Sequence, residues 1–395
     1  MPSSPLRLAY FSPLPPDRSG IADYSWELLP HLAERCALTV FAANDAAVAA
    51  AGFERRPAAG YPAARLDYDL TLYHMGNSLY HDDIYRLLTR YPGVVVLHDF
   101  YLHQLMAERT TGRGDFPAYA REMGYARGVP GYRLARRIRD GRAPSPLYEE
   151  PLNARLIDSS LGLVVHSAFA ANGVRRRRPD APVAVVPQPI AGYPARSLRE
   201  TLGLPASAVV FAVLGQVTAV KQVPVVLKAL ATLRESIPDI HLLVVGEVLP
   251  EVALDRAIAD LGMEGAVTQA GYAPTLQAFA DYIATADVVI NLRLPTLGET
   301  SAAALRALDL GRPLIVYNHG WYAEIPDGAA IKVEPGDEAA LLAALSDLAR
   351  SPALRRQLGA AARAYVASTC RPAAVADAYI AFLSSLAASI RERYR

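Results

Sequence analysis

The sequence predicts an α/β protein made of two doubly wound parallel sheets, and three observations lead there. Short apolar runs rich in β-branched residues alternate with helical sequence from end to end, the pattern of right-handed βαβ units. Several of these runs, such as VVVLH (94–98) and LVVH (163–166), are apolar throughout, as strands covered on both faces are. The pattern also stops and restarts around PQPIAGYPARSLRE (187–200), whose three prolines and one glycine read as a linker. A chain of 395 residues fits two domains of roughly 100–200 residues each.

The first half, residues 1–190, begins with LRLAYF (6–11), a Pro- and Gly-rich loop and a helix from Ile21 to Leu32. Strands are expected at LTVFAA (38–43), LTLYH (70–74), VVVLH (94–98), LVVH (163–166) and VAVVP (183–187). The second half, 191–371, opens with VVFAVLG (209–215) and a helix from Pro224 to Glu235. HLLVVGE (241–247), AVTQAG (266–271), DVVINL (287–292), PLIVYN (313–318) and AIKVEP (330–335) follow as strands. A long amphipathic helix, 372–395, closes the chain and is expected to cross back to the first half. The region 101–151 does not read as a βα repeat. Its segment GYRLARRIRDGR (131–142) is either a membrane-surface or acceptor-binding helix or a solvated Arg-rich one. The run Arg175 to Arg178 reads in the same two ways.

Composition excludes several classes. Basic and acidic residues number 40 and 39, a net charge of +1, so no nucleic-acid partner is expected. The 52% apolar content excludes a disordered chain. Cys36 and Cys370 are the only cysteines, too few for a disulfide framework or a thiolate zinc site. MPSSPLRLAYFSPLPP lacks the basic start and apolar run of a leader, and the longest uncharged stretch, between Glu200 and Lys221, is broken by Gly203, Pro205 and Gly215. A soluble, cytoplasmic protein is expected. Arginine outnumbers lysine 37 to 3, which makes each lysine informative.

In doubly wound sheets ligands bind outside the carboxyl ends of the strands. In SPLPPDRSGIADYS (12–25), Ser19-Gly20 opens a helix whose first amides offer an anion site. Neither GxGxxG nor GxxxxGK occurs. Gly215-Gln216 ends a strand and Lys221 follows six residues after the glycine, placed to hold a diphosphate. Lys228, seven residues on, could share a helix face with it, and reads as a surface charge. Gly298-Glu299-Thr300-Ser301 precedes an alanine-rich helix. Glu299 is either a capping carboxylate or a ligand for hydroxyls, and the amides and hydroxyls of Thr300 and Ser301 would face the strand ends. His74, His81, His103 and His166 also fall near strand ends. His74, Asn77 and Asp99 are the candidates for acceptor binding. No HExxH and no strand-end DxD occur, so a metal-independent reaction is expected.

The order Gly-Gln-x4-Lys, LLVVGE, AGYAP, ADVVINL and GETSAAALRALDLGRPLIV resembles the C-terminal half of the retaining family 4 glycosyltransferases of GT-B fold, and SPLPPDRSGIADYS and VVVLHD resemble their N-terminal half. The resemblance implies two Rossmann-like domains facing a central cleft, the first for acceptor and the second for the nucleotide-sugar donor. It implies donor contacts from Gly20, Gly215, Gln216, Lys221, Tyr272, Thr300, Ser301 and Arg306. Glu299 would hold hydroxyls of the transferred sugar and His98 would lie beside its anomeric region. Two positions depart from the family pattern. Gln216 stands where an arginine is usual, and Arg306 stands where the second, ribose-binding glutamate belongs, so that Arg306 could offset the charge missing at 216.

The implied activity is transfer of a hexose from a nucleotide diphosphate sugar to an acceptor hydroxyl with retention of configuration. The acceptor would be a glycan or lipid-linked, in cell-surface glycan, glycolipid or polysaccharide biosynthesis, with no cofactor beyond the donor. Segment 131–142 would be the contact to the inner membrane face. Rival readings are a catalytically silent GT-B-like subunit that binds nucleotide or glycan, and a nucleotide-sugar epimerase.

Overall fold

The computed structural model describes residues 5–42 and 53–393. Met1–Ser4, the residue Ala43 that ends the expected second strand, and the last two residues of the expected closing helix lie outside the described residues. By contact the chain divides into two units. The first comprises Met1–Pro189, Leu297–Thr300 and Pro372–Arg395, and the second Ile190–Thr296 and Ser301–Arg371.

The first unit holds a seven-stranded sheet. Its strands are β1 (Arg7–Phe11), β2 (Ala37–Ala42), β3 (Glu54–Pro57), β4 (Leu70–Met75), β5 (Val94–Leu97), β6 (Gly162–Val165) and β7 (Val183–Val185). They run in the order β3-β2-β1-β4-β5-β6-β7, every pair parallel. The absence of alternation in the sequence has a direct cause. Ala9 and Phe11 of β1 enter one core, with Tyr73 and Val95. Leu8 and Tyr10 enter the other, with Leu72, Val94 and Val96. Both faces are covered, so both registers must be apolar. β3 escaped the sequence reading because it is an edge strand of sequence ERRP, without a buried residue.

The helix Gly20–Ala33 starts at Ser19, whose Oγ accepts the Ile21 N–H at 3.2 Å. It packs against the helix Pro372–Arg393, which belongs to the same unit. Val375, Ala376, Tyr379, Leu383, Leu386 and Ala387 of that helix are buried. Among the described residues one helical stretch, Pro352–Arg393, is long and apolar enough to cross a membrane by length and composition, and a third of its most apolar window is buried.

Residues 101–151 form helices and no strand among the described residues, in keeping with their lack of βα character. In the helix Val129–Arg139, Gly131 and Ala135 are buried and Leu134 and Ile138 pack on the core. Gly131 faces the Met123 carbonyl so closely that a Cβ would collide with it. The apolar stripe is therefore turned inward and Arg133, Arg136, Arg137 and Arg139 are exposed. Arg175 and Arg176 likewise end a helix with exposed side chains.

The second unit holds a six-stranded parallel sheet. Its strands are β8 (Val209–Leu214), β9 (Ile240–Val245), β10 (Val267–Gly271), β11 (Val288–Ile290), β12 (Leu314–Tyr317) and β13 (Ile331–Val333), in the order β10-β9-β8-β11-β12-β13. Again one strand feeds two cores: Phe211 and Val213 on one side, Val210, Ala212 and Leu214 on the other.

Candidate functional site

In each sheet the strand order reverses once, between β1 and β4 in the first unit and between β8 and β11 in the second. Such switch points open a crevice at the strand ends. In the first unit the crevice edge carries the start of helix Gly20–Ala33. A Cβ added to Gly20 would meet no atom within 4 Å, so the backbone there is open to approach. Behind it runs a buried hydroxyl chain: Tyr10 Oη donates to Ser25 Oγ at 2.8 Å, and Ser25 Oγ to Ser12 Oγ at 2.7 Å.

Four histidines that the sequence places in β4 and in the segments after β4, β5 and β6 come together in this unit. His74 Nδ1 and His98 Nε2 are hydrogen-bonded at 2.9 Å. His98 also lies 5.0 Å from the His166 ring and edge-on to Tyr24 at 4.7 Å. His81 Nδ1 donates to the His74 carbonyl at 2.9 Å, and His166 Nδ1 to that of Val186 at 2.8 Å. Burial pushes all four imidazoles toward the neutral form: His81 and His166 fall to about 4. His74 and His98 fall well below the usual value, through burial and then the neighbouring His166. The acceptor role expected of His74 is corrected here. Its side chain is fully buried, behind His98, and reaches no surface.

Asn77 and Asp99 sit half-buried beside the cluster and tie loops together. The Asn77 N–H donates to Asp99 Oδ2 at 2.8 Å, and Asn77 Oδ1 accepts the Leu105 N–H at 3.0 Å. His103 is held by the Glu150 carbonyl and Tyr119, a structural placement.

Glu299 is buried in the segment Leu297–Thr300, and its Oε2 accepts the Leu297 N–H at 2.7 Å. Gly298 has a φ of 69°, and a Cβ there would lie 2.6 Å from the Phe100 side chain, so only glycine fits the turn. The capping reading of Glu299 is corrected. The helix Ala302–Asp309 is capped by Ser301, whose Oγ accepts the Ala304 N–H at 3.2 Å and the Asn291 side-chain amide at 3.1 Å. Thr300, between them, is half-buried.

In the second unit Lys221 is buried and folds back over the end of β8. Its Nζ donates to the Leu214 carbonyl, and a Cβ on Gly215 would come 3.2 Å from that nitrogen. Burial, and then the charge of Arg293, drive its ammonium well below lysine's ordinary value. Lys221 and Lys228 do not share a helix face. Lys221 ends a 3₁₀ turn, Gln222 at φ 54° is left-handed, and the helix Val223–Arg234 starts only afterwards. Lys228 instead pairs with Glu338 at 2.8 Å on the surface. Gln216 is exposed, 3.5 Å from Glu247. Tyr272 is exposed in the loop after β10. Arg306 is buried with its guanidinium over Tyr193.

Arg293 is the residue that sequence reasoning missed. It follows β11 by three positions, and the loops bring it to Lys221: the Leu294 N–H donates to the Val220 carbonyl at 2.8 Å, and Gln222 Nε2 to the Leu294 carbonyl at 3.2 Å. The strand-end rule that singled out Lys221 covers position 293 equally. Arg293 places a positive charge beside Lys221. Among the described residues no three His, Cys, Asp or Glu side chains converge as a metal-binding group.

Residues 208–351 match the family model described as Glycosyl transferases group 1, a span that runs from β8 to the end of the helix Glu338–Arg350. HepE of Anabaena, solved with UDP-glucose, has a TM-score of 0.67 at 15% identity over 96% of this chain and 100% of that one. Sucrose-phosphate synthase of Thermosynechococcus elongatus has a TM-score of 0.68 at 16% identity, covering 97% and 100%. WaaG, a glycosyltransferase involved in lipopolysaccharide biosynthesis, has a TM-score of 0.59 at 16% identity, covering 94% and 98%. No curated protein sequence gives a match. At these identities the likeness is one of fold, and the fold is GT-B.

Proposed function

We propose that this chain, a GT-B protein whose residues 208–351 belong with the group 1 glycosyl transferases, transfers a hexose from a nucleotide diphosphate sugar to an acceptor hydroxyl with retention of configuration. The observation that carries the reading is the coincidence of the family match with two basic side chains, Lys221 folded over the end of β8 and Arg293 beside it. A leaving diphosphate is the charge that such an arrangement is suited to stabilise.

Each residue then has a task. Lys221, Arg293 and the first amides of the helix Ala302–Asp309 take the diphosphate, the helix dipole adding to the side-chain charges. Glu299 orients sugar hydroxyls, and Gly20 lets the backbone come close to the donor. His98 faces the reacting end of the sugar. The bond from the anomeric carbon to the phosphate oxygen breaks as the acceptor oxygen bonds on the same face, and the acceptor proton passes to the departing phosphate. This front-face path needs no carboxylate nucleophile and no divalent ion.

HepE is solved with UDP and glucose, which makes a uridine nucleotide the first donor to try. WaaG is a glycosyltransferase involved in lipopolysaccharide biosynthesis, which supports a role in cell-surface glycan, glycolipid or polysaccharide synthesis. Thermal-shift titration with UDP, GDP and ADP and their hexose conjugates tests donor binding, since a ligand that binds the native state raises its stability. Donor hydrolysis and transfer are then followed in excess chelator, and the product's anomeric configuration is read by NMR. Binding without any release of nucleotide would turn the reading to a silent binding subunit.

A further inference from the structure

A neutral imidazole has one N–H and one bare lone pair, and what each nitrogen faces decides which is which. In His81 and His166, Nδ1 faces a carbonyl oxygen. A carbonyl only accepts, so both carry their proton at Nδ1. The Nε2 atoms of His74, His81 and His166 are buried without a hydrogen-bond partner. A proton on any of them would be an orphaned buried N–H, which folded proteins avoid more strictly than an unused acceptor. His74 therefore keeps its proton on Nδ1 as well. That nitrogen's partner is Nε2 of His98 at 2.9 Å, so His98 must accept there and hold its own single proton on Nδ1.

We propose that His74 is a positioning residue that fixes His98 in the Nδ1–H form, so that His98 meets the substrate as a hydrogen-bond donor to an oxygen and not as a base. The second half of this rests on the reading of His98 as a sugar-site residue. Of the two bonded rings, His74 is fully buried and His98 retains 8% of its surface, and the His98 nitrogen not engaged by His74 is Nδ1. The ring is held in place by His166 at 5.0 Å and by Tyr24 at 4.7 Å. A hydroxyl, ring or phosphate oxygen is the class of atom that an Nδ1–H recognises. The acceptor's proton must then go elsewhere, and the departing phosphate is the base that the proposed reaction itself supplies. Burial keeps the set neutral: the imidazoles of His74 and His98 lie well below their ordinary value.

The test is NMR on the ¹⁵N-labelled native protein near neutral pH. His98 should show a protonated Nδ1 and an unprotonated Nε2, with scalar coupling across the bond from the His74 Nδ1–H. A proton on His98 Nε2, or exchange between the two forms, overturns the proposal. His74→Phe, which removes the donor and keeps a ring, should lower kcat about tenfold with nucleotide affinity unchanged, the loss expected for one hydrogen bond. His74→Asn, which can place an amide where Nδ1 was, should recover most of that loss. Equal loss in both variants overturns the donor role. An Nδ1–H form in a protein that neither binds nor transfers a donor sugar overturns the sugar-site reading of His98 and leaves the His74–His98 arrangement standing.

Discussion

Tyr24 and Tyr379, 355 positions apart, meet oxygen to oxygen at 2.5 Å in the interior of the first unit. Tyr24 is the ring that stands edge-on to His98, so the helix Pro372–Arg393 braces the histidine cluster through one hydroxyl. Tyr379→Phe leaves the Tyr24 hydroxyl buried without this partner and should cost about 1–3 kcal/mol. Replacing both tyrosines should cost less than the two single changes added, because a matched apolar pair orphans nothing. Urea unfolding of the two single variants and the double variant measures this. Additive losses would show that the two hydroxyls do not depend on each other.

Acid should destabilise the first unit. His81 and His166 titrate at about 4 when folded, against roughly 6.5 in an unfolded chain. Between those values the unfolded state binds more protons, so stability is full above about pH 6.5 and falls as pH drops toward 4. By pH 5 the loss should be roughly 2 kcal/mol for each histidine. His166→Asn, which keeps an amide donor for the Val186 carbonyl, should show a shallower decline. An unfolding free energy that stays level from pH 7 to pH 5 would contradict this account.

Lys221 should take up a proton when the donor binds. Its ammonium is held far below the usual range by burial and Arg293, and an incoming diphosphate raises it again. Calorimetry with nucleotide diphosphate across the neutral to alkaline range, in two buffers of different ionisation heat, should show uptake. Lys221→Ala should abolish the uptake and weaken binding by about 1.5–3 kcal/mol, the range for a hydrogen bond to a charged group. A heat independent of buffer, with affinity unchanged in the variant, removes Lys221 from the site.

Glu299 and Ser301 should separate cleanly. Ser301 is the helix cap, so Ser301→Ala should cost about 1 kcal/mol of stability. Glu299→Gln keeps an oxygen for the Leu297 N–H but loses the charge. It should lower turnover far more than nucleotide affinity, as a contact strongest in the transition state does. Near-normal turnover in Glu299→Gln would confine that carboxylate to shaping its loop.

The sequence by itself determined the two parallel sheets. β1 from Leu8 onward and β8 throughout are apolar because successive side chains enter opposite, equally covered cores, and a period-2 chain covered on both faces leaves that record in composition. It also determined the strand-end loops that carry Gly20, Lys221 and Glu299, because glycine and polar residues interrupt apolar runs there. It said nothing of β3, whose exposed edge needs no apolar residue. Only the tertiary structure decided which side chains meet. His74 and His98 become neighbours because β4 and β5 pair with His74 opposite Val96, Tyr379 reaches Tyr24 through a packed helix, and Arg293 reaches Lys221 through two loops. It also decided that Lys221 and Lys228 part company, since one left-handed residue, Gln222, breaks the helix that their spacing implied. Periodicity is a local property and survives in sequence, whereas register, loop path and helix packing join residues that no spacing relates.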